Sequence, residues 1–261
     1  GLPIGRGQVD DRNSLKMISV ALDAGVTLID TADIYGFGHA ESLLGDVLHD
    51  KRQQVVISTK VGNRGNNQEW FKDFSPAWIE KACEGSLRRL KTDYLDLYLL
   101  HTPIPPFEFT PALLEVFQKL QQTGKIRFFG CSASTHEQAA DAIEAGFGQV
   151  VETVYHLCDR TAEESLFPLA KAKGVGIIVK APLCSGLLTG KYNKNSFFSG
   201  DDFRKGLYLR EEFSKIMDTV DALGPLCVRQ GLTQPQFALK FCLHRPEVAA
   251  VIPGAKTPGQ L

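Results

Sequence analysis

The fold class this sequence predicts is a single-domain α/β barrel, the (β/α)8 or TIM arrangement, spanning residues 1–261, and three observations predict it. Short apolar runs recur along the chain with helical patterns between them, which is how stacked strand-helix units read. No composition shift or low-complexity segment marks a linker, and about 250 residues is a usual length for one such barrel. The competing architecture, an open doubly wound sheet, normally carries a G-x-G-x-x-G turn after its first strand, and this chain has none. The glycines of "GFGHAE" follow Tyr35 rather than a strand and read as turn residues.

Seven strands are predicted in order: Val26 to Asp30, Val55 to Lys60, Leu95 to His101, Ile126 to Cys131, Val150 to Val154, Val175 to Lys180 and Val248 to Ile252. They are nearly continuous in Val, Ile, Leu and Phe, as strands covered on both faces are. An eighth, the first of the barrel, is expected to be largely cut away. The abrupt opening on "GLPIGRG" and the stop on "TPGQL" lead us to expect natural residues beyond both ends. Helices are predicted over Arg12 to Ala24, Ala40 to Leu48, Pro76 to Leu90, Thr110 to Gln122, Thr135 to Ala145, Ala162 to Ala172 and Pro235 to His244. Ser75 before Pro76 is a good helix start, a capping hydroxyl followed by proline in the first turn. Gly25, Gly124, Gly146 and Gly174 each close a helix before the next strand, where a left-handed residue is needed. The polar insert from Tyr192 to about Asp202 and the helical pattern running on to Val228 do not fit the repeat. They read as a loop and an extra helix over one mouth.

The composition is that of an ordinary globular chain, 43% hydrophobic and 23% charged with a net charge of -1. Without a long basic run there is no electrostatic footprint for nucleic acid or a membrane surface, which leaves small neutral or acidic molecules as partners. The six cysteines, at 83, 131, 158, 184, 227 and 242, show neither a C-x-x-C pair nor His/Cys ligand spacing, so no metal site is expected. They read as reduced thiols of a cytoplasmic protein. There is no apolar run of about 18 residues and no signal-peptide pattern.

In such a barrel, chemistry belongs at the carboxyl ends of the strands. There stand Asp30, Lys60, His101, the Cys131-Ser132 pair, Glu152, Lys180 and the Pro253-Gly254 loop. Taken singly, an ionisable residue at a strand end is a solvated rim group, and in "GVTLIDTADIYG" Asp30 reads equally as a cap and Tyr35 as surface packing. Asp30, Lys60 and His101 together, with Tyr35 beside them, point to proton donation to a carbonyl oxygen. A free tyrosine titrates near pH ~10 and needs a neighbouring cation to be a useful acid. Lys60 is that candidate cation, Asp30 would hold it charged, and His101 would share a hydrogen bond at the oxygen where charge develops.

These residues, Asp30 and Tyr35 in "LIDTADIYG", Lys60 in "VVISTK" and His101 in "YLDLYLLH", resemble the tetrad of the aldo-keto reductase superfamily in order and spacing. The resemblance runs over essentially the whole chain and is nearer the bacterial and channel-associated branches. It implies an eight-fold barrel that transfers hydride between a nicotinamide cofactor, generally NADPH with NADH possible, and a carbonyl or alcohol. The cofactor would lie across the mouth without a Rossmann domain. By the same resemblance, Ser132 in "FFGCSAST" would hold the nicotinamide carboxamide, although Ala133 stands where the family has Asn. Glu152 stands where a Gln is usual, and Lys180 where many members stack a Tyr on the ring. Pro182, Leu183, Ser185, Gly186 and Lys191 match a pyrophosphate loop, and Gly254, Lys256 and Gln260 the adenosine end. Ser185 also reads as a plain turn residue and Lys191 as a solvated charge.

Trp70 and Phe71, with Phe74, are expected to wall a substrate pocket or simply to pack. Two functions stay open: an NADPH-dependent reductase of an aldehyde or ketone, and a cofactor-holding regulatory or redox-sensing subunit with little turnover. A metal-dependent barrel hydrolase would need converging His and carboxylate ligands, and His39, His49, His136 and His244 fall in or at the ends of helical stretches.

Overall fold

A computed structural model describes residues 10–66, 68–200, 202, 204–205, 210–255 and 257–261. The elements run α1 (Asp11–Asp23), β1 (Leu28–Asp30), α2 (His39–Leu48), β2 (Val56–Val61), β3 (Asn63–Gly65), β4 (Trp70–Lys72), α3 (Pro76–Leu90), β5 (Leu95–His101) and α4 (Pro111–Gln122). They continue with β6 (Ile126–Ser132), α5 (His136–Glu144), β7 (Val150–Val154), α6 (Leu166–Lys173), β8 (Gly176–Lys180), α7 (Arg210–Gln230), α8 (Gln234–Leu243) and β9 (Val248–Ile252).

Local chemistry sets the helix ends. Ser75, Thr110 and Thr135 accept hydrogen bonds from the backbone N–H three residues on, and Thr233 and Gln236 form a reciprocal capping box. The first strand begins two residues later than the sequence predicts. The chain leaves α1 through Gly25, at φ 84°, with the Val26 N–H donating back to the Ala21 carbonyl at 3.0 Å, so Val26 belongs to the helix exit.

Seven strands pair in parallel in the order β1-β2-β5-β6-β7-β8-β9, and β9 returns beside β1. Leu97 and Leu99 of β5 pack with Ile178 of β8, and Leu28, Val150, Ala250 and Ile252 join them. Strands this far apart in the sheet order share side-chain contacts only when the sheet curls on itself, so this cluster is the barrel's interior. A larger apolar layer, including Tyr98, Phe117, Phe129 and Phe167, lies between the sheet and the helices. This is the (β/α)8-barrel architecture. The position of the expected first strand falls before residue 10, outside the described residues.

The extra segment forms a second small core in which Ile216, Met217 and Val220 of α7 cover Cys184, Leu187 and Leu188 of the turn after β8. The antiparallel hairpin β3-β4 was not predicted. Gly62, at φ 122°, starts it: a Cβ there would stand 1.9 Å from the Phe74 ring, so only glycine lets the chain pass.

Below the mouth, Glu41 is fully buried and accepts from Thr59 Oγ1 at 2.7 Å and from Arg89 Nε at 2.7 Å, joining α2, β2 and α3. Arg89→Ala would strand this carboxylate. Because Arg89 is itself a third exposed, the expected loss is about 2 kcal/mol, under the range for fully buried pairs, read as a lower denaturant midpoint at unchanged slope.

Candidate active site

Strand register brings the ionisable strand ends to one rim. Asp30 lies opposite Ser58 and Lys60 opposite Leu99, while His101, Ser132 and Glu152 follow one another across β5, β6 and β7. The Lys60 ammonium, 1% exposed, pairs closely with Asp30, donates to the Thr31 carbonyl at 3.0 Å and lies 3.3 Å from Glu152 Oε2. Ser132 Oγ donates to Glu152 Oε1 at 2.8 Å, and Lys180 Nζ donates to Ser132 Oγ at 3.1 Å. Two ammoniums and two carboxylates thus alternate across the mouth. The departures at 152 and 180 are coupled: a Lys turned inward at the end of β8 faces an added negative charge on β7. Ala133 is buried, with its N–H donating to the Glu152 carbonyl at 2.9 Å, and offers no side-chain amide.

The charges shift one another. Burial alone would lower the Lys60 pKa, but Glu152 and Asp30 outweigh it and hold the ammonium charged. Burial, with Glu152 adding to it, pushes the Asp30 carboxyl up to about 6 against the pull of Lys60. Burial also lowers Lys180, with the charge of Glu152 opposing it.

Tyr35 sits edge-on to His101, ring centroids 5.8 Å apart, and the Lys60 ammonium is 5.9 Å from the Tyr35 ring centre. Lys60 draws the tyrosine pKa down, as the sequence predicts, yet the net shift is upward. Burial, followed by Asp30, Glu152 and Asp33, outweighs the one cation. Burial and the cations Lys60, Lys72 and Lys180 hold His101 well below its ordinary pKa, so it is neutral.

Sequence reasoning missed two residues here. Asn63 Nδ2 lies 3.1 Å from His101 Nδ1 and 3.4 Å from Asp33 Oδ1, and with an acceptor on each side the amide must donate. His101 therefore accepts at Nδ1 and carries its proton on Nε2. The signal for Asn63 was its place just past the Lys60 strand. Asp33 is pushed up to about 7 by burial and by the nearby Glu41 carboxylate. A carboxyl raised on folding contributes stability that is present below its unfolded pKa of 3.8 and is lost as pH rises through about 7. Asp33→Asn removes that loss. The variant is expected to gain stability relative to wild type between about pH 4 and pH 7 and to level off above that, with a slope approaching the roughly 1.4 kcal/mol per pH unit of one proton, and matched denaturant titrations read it.

The segment after β8 turns sharply, with Ala181, Cys184 and Ser185 all in left-handed backbone at φ 52°, 49° and 55°. Pro182 is buried, Leu183, Ser185 and Gly186 are partly exposed, and Lys191 is exposed with its ammonium 5.7 Å from the Tyr192 ring centre. Arg204, not anticipated from sequence, places Nη1 3.4 Å from the Ser185 carbonyl oxygen while Asp202 accepts from its Nε and Nη2. Gly254 follows β9, and Gln260 lies in a short turn, Pro258–Gln260, beside α1. Lys256 lies outside the described residues.

Hairpin β3-β4 splits the two expected pocket aromatics. Trp70 shares a face with Lys72, whose ammonium donates to the His101 carbonyl at 2.7 Å and lies 5.9 Å from the Trp70 ring centre. Phe71 points to the other face, where Arg64 sits 5.8 Å from its ring and 4.9 Å from that of Trp78.

Fold and site together define a barrel protein with a buried acid-base cluster at its strand-end mouth. The chain belongs to the aldo/keto reductase family, whose model matches residues 1–261, and that is a family of nicotinamide-dependent oxidoreductases. It is 36% identical over 262 residues to the aldo-keto reductase YhdN of Bacillus subtilis, covering 98% of this chain and 78% of the relative. It is 32% identical over 275 residues to an NADH-specific methylglyoxal reductase of Escherichia coli, covering 100% and 84%. A probable voltage-gated potassium channel subunit beta of Oryza sativa is 31% identical over 272 residues, covering 97% and 81%. Among solved structures, a glycerol dehydrogenase from Gluconobacter oxydans superposes with a TM-score of 0.86 at 35% identity, over 97% of this chain and 79% of that one. A Klebsiella pneumoniae aldo-keto reductase in complex with NADPH gives 0.71 at 26% identity, over 99% and 80%. No helix among the described residues is long and apolar enough to cross a membrane.

Proposed function

We propose that this chain reduces an aldehyde or ketone to an alcohol with NADPH, Tyr35 acting as the general acid with Lys60, Asp30 and His101 assisting. The observation that carries the reading is the Lys60 ammonium, locked between Asp30 and Glu152 with the Tyr35 and His101 rings at its side. The donor set fits a dinucleotide. Lys180, Ser132 and Glu152 offer donors and an acceptor to an amide at the strand ends. The turn through Pro182, Leu183, Ser185 and Gly186, with Lys191 beyond it, offers left-handed backbone and a cation to a diphosphate. Gly254, Lys256 and Gln260 are assigned to the adenosine end, Lys256 meeting a 2'-phosphate as a point charge.

A nicotinamide held by Ser132, Glu152 and Lys180 would supply hydride chemistry at the carbonyl carbon. Tyr35 gives its hydroxyl proton to the carbonyl oxygen, and the neighbouring Lys60 charge stabilises the tyrosinate that remains. His101, neutral and protonated on Nε2 by virtue of Asn63, donates a hydrogen bond to the same oxygen. Trp70, on the Lys72 face of the hairpin, is assigned to the pocket wall, and Phe71, on the opposite face, to packing against Arg64. A panel of aldehydes, ketones and sugars, including methylglyoxal and the oxidation of glycerol, read against NADPH and NADH, tests the reading. Carbonyl-dependent consumption with higher kcat/KM for NADPH is expected, and no consumption with either cofactor overturns it.

The kinship with channel beta subunits supports a second reading, a cofactor-holding sensor that turns over little. The count of turnovers separates the two.

Lys180 would shape the choice between cofactor states. An ammonium held against Ser132 disfavours a positively charged ring nearby. Lys180→Tyr is expected to tighten NADP+ relative to NADPH by about tenfold, the effect of one unit charge several ångströms away at a partly screened site. Fluorescence titration of both forms reads the ratio, and an unchanged ratio removes this role.

A further inference from the structure

At the rim of the same mouth, the turns after β7 and β8 bring together three metal-ligating side chains. His156 and Cys158 lie on the first turn, and Cys184 opens the 3-10 turn Cys184–Thr189 on the second. One ligand atom from each lies within 4.8 Å of the other two. His156 and Cys184 are buried, at 8% and 1% exposure, and Cys158 is half-buried and hydrogen-bonded to Cys184. His156 Nδ1 is buried without a hydrogen-bond partner among the described residues, an expensive state for an imidazole nitrogen. The backbone that presents the pair is fixed, since His156 and Asp159 exchange N–H to carbonyl hydrogen bonds at 3.1 and 2.9 Å.

We propose that His156, Cys158 and Cys184 form a binding site for a borderline-soft divalent cation of the zinc class. The donor set of two sulfurs and one imidazole, with no carboxylate in the cluster, selects such an ion over magnesium or calcium. Ligand atoms around a tetrahedral zinc stand about 3.4 to 3.8 Å apart, so closure needs side-chain movements of roughly an ångström. Two thiolates and one divalent cation sum to zero charge, which removes the main cost of placing an ion in so buried a position. Three protein ligands leave a fourth position for water. The ion would clip the turn after β7 to the turn after β8, the same turn that carries Ser185 and Gly186 of the proposed diphosphate loop, while its three ligands take no part in the proton-transfer chemistry. Sequence spacing concealed it because the third ligand comes from the next strand's turn, so no local zinc motif forms.

The test is titration of the reduced full chain with Co2+ alone. One equivalent per chain is expected to develop thiolate-to-cobalt charge-transfer absorption with tetrahedral d–d bands, and Zn2+ is expected to abolish both. Cys158→Ser is expected to lose most of the charge-transfer intensity. His156→Gln is expected to bind Co2+ at least about tenfold more weakly, the lower end of what even residues behind the ligands cost. Absence of the charge-transfer band in wild type, or Co2+ affinity and charge-transfer intensity unchanged from wild type in both variants, overturns the site. Should a variant fail to fold, the Co2+ spectrum of wild type still decides, because one equivalent of thiolate-to-cobalt charge transfer in the folded chain requires sulfur ligation, and its absence overturns the site.

Discussion

Tyr35→Phe is expected to lose carbonyl reduction by about a hundredfold to ten-thousandfold while keeping its nicotinamide affinity, the range that general acid catalysis supplies. Only one oxygen is removed, from a ring already fixed against His101, so the loss falls on proton donation. The pH profile carries a second signature. Because burial and three carboxylates raise the Tyr35 pKa, the acid stays protonated through neutral pH. Wild-type reduction should therefore show no limb from tyrosine ionisation below its ordinary pKa of 10.0. Lys60 acts here by opposing the burial cost and by stabilising the tyrosinate once it forms, rather than by bringing the free acid below its usual range.

Lys60→Met carries the second large effect, because it damages both chemistry and fold. Its ammonium is the charge shared by Asp30 and Glu152, and without it two carboxylates face one another in a buried site. The expected destabilisation is about 3 to 5 kcal/mol, as for breaking a buried pair by removing one partner. Reduction should fall at least as far as in Tyr35→Phe. The sign of the pH dependence follows from the direction of the shifts. The Asp30 carboxyl, raised by burial and no longer pulled down by Lys60, contributes stability at low pH and loses it as pH rises, so the deficit should widen from acid toward neutral pH. Adding Glu152→Gln should return part of the stability without the activity, which denaturant titration and steady-state kinetics separate. Equal deficits in the single and double variants would show that Glu152 is not the stranded charge.

Much of this was legible in the sequence. Asp30, Lys60 and His101 each end a buried apolar run, and parallel register carries such ends to one rim, so strand periodicity alone brings them together. What stayed hidden depends on contacts between loops. The hairpin β3-β4 is built from "NRG" and "WFK", too short and too polar to read as strands, and its existence rests on Gly62 passing the Phe74 ring. Asn63 and Arg204 sit in segments without periodicity, and their partners, His101 and Ser185, are remote in the chain. The coupling of Glu152 to both Lys60 and Lys180 was visible only as two separate departures from a family pattern, until the side chains met across Ser132.

Counting cofactor molecules oxidised per chain tests the central claim most directly. Wild type and Tyr35→Phe are each mixed with a large excess of NADPH and a carbonyl substrate drawn from the panel, and nicotinamide absorbance is followed to completion. A working reductase driven by Tyr35 predicts many NADPH consumed per wild-type chain and a rate far lower in the variant. At most one NADPH consumed per chain across the whole panel, or equal turnover in the two proteins, would contradict it.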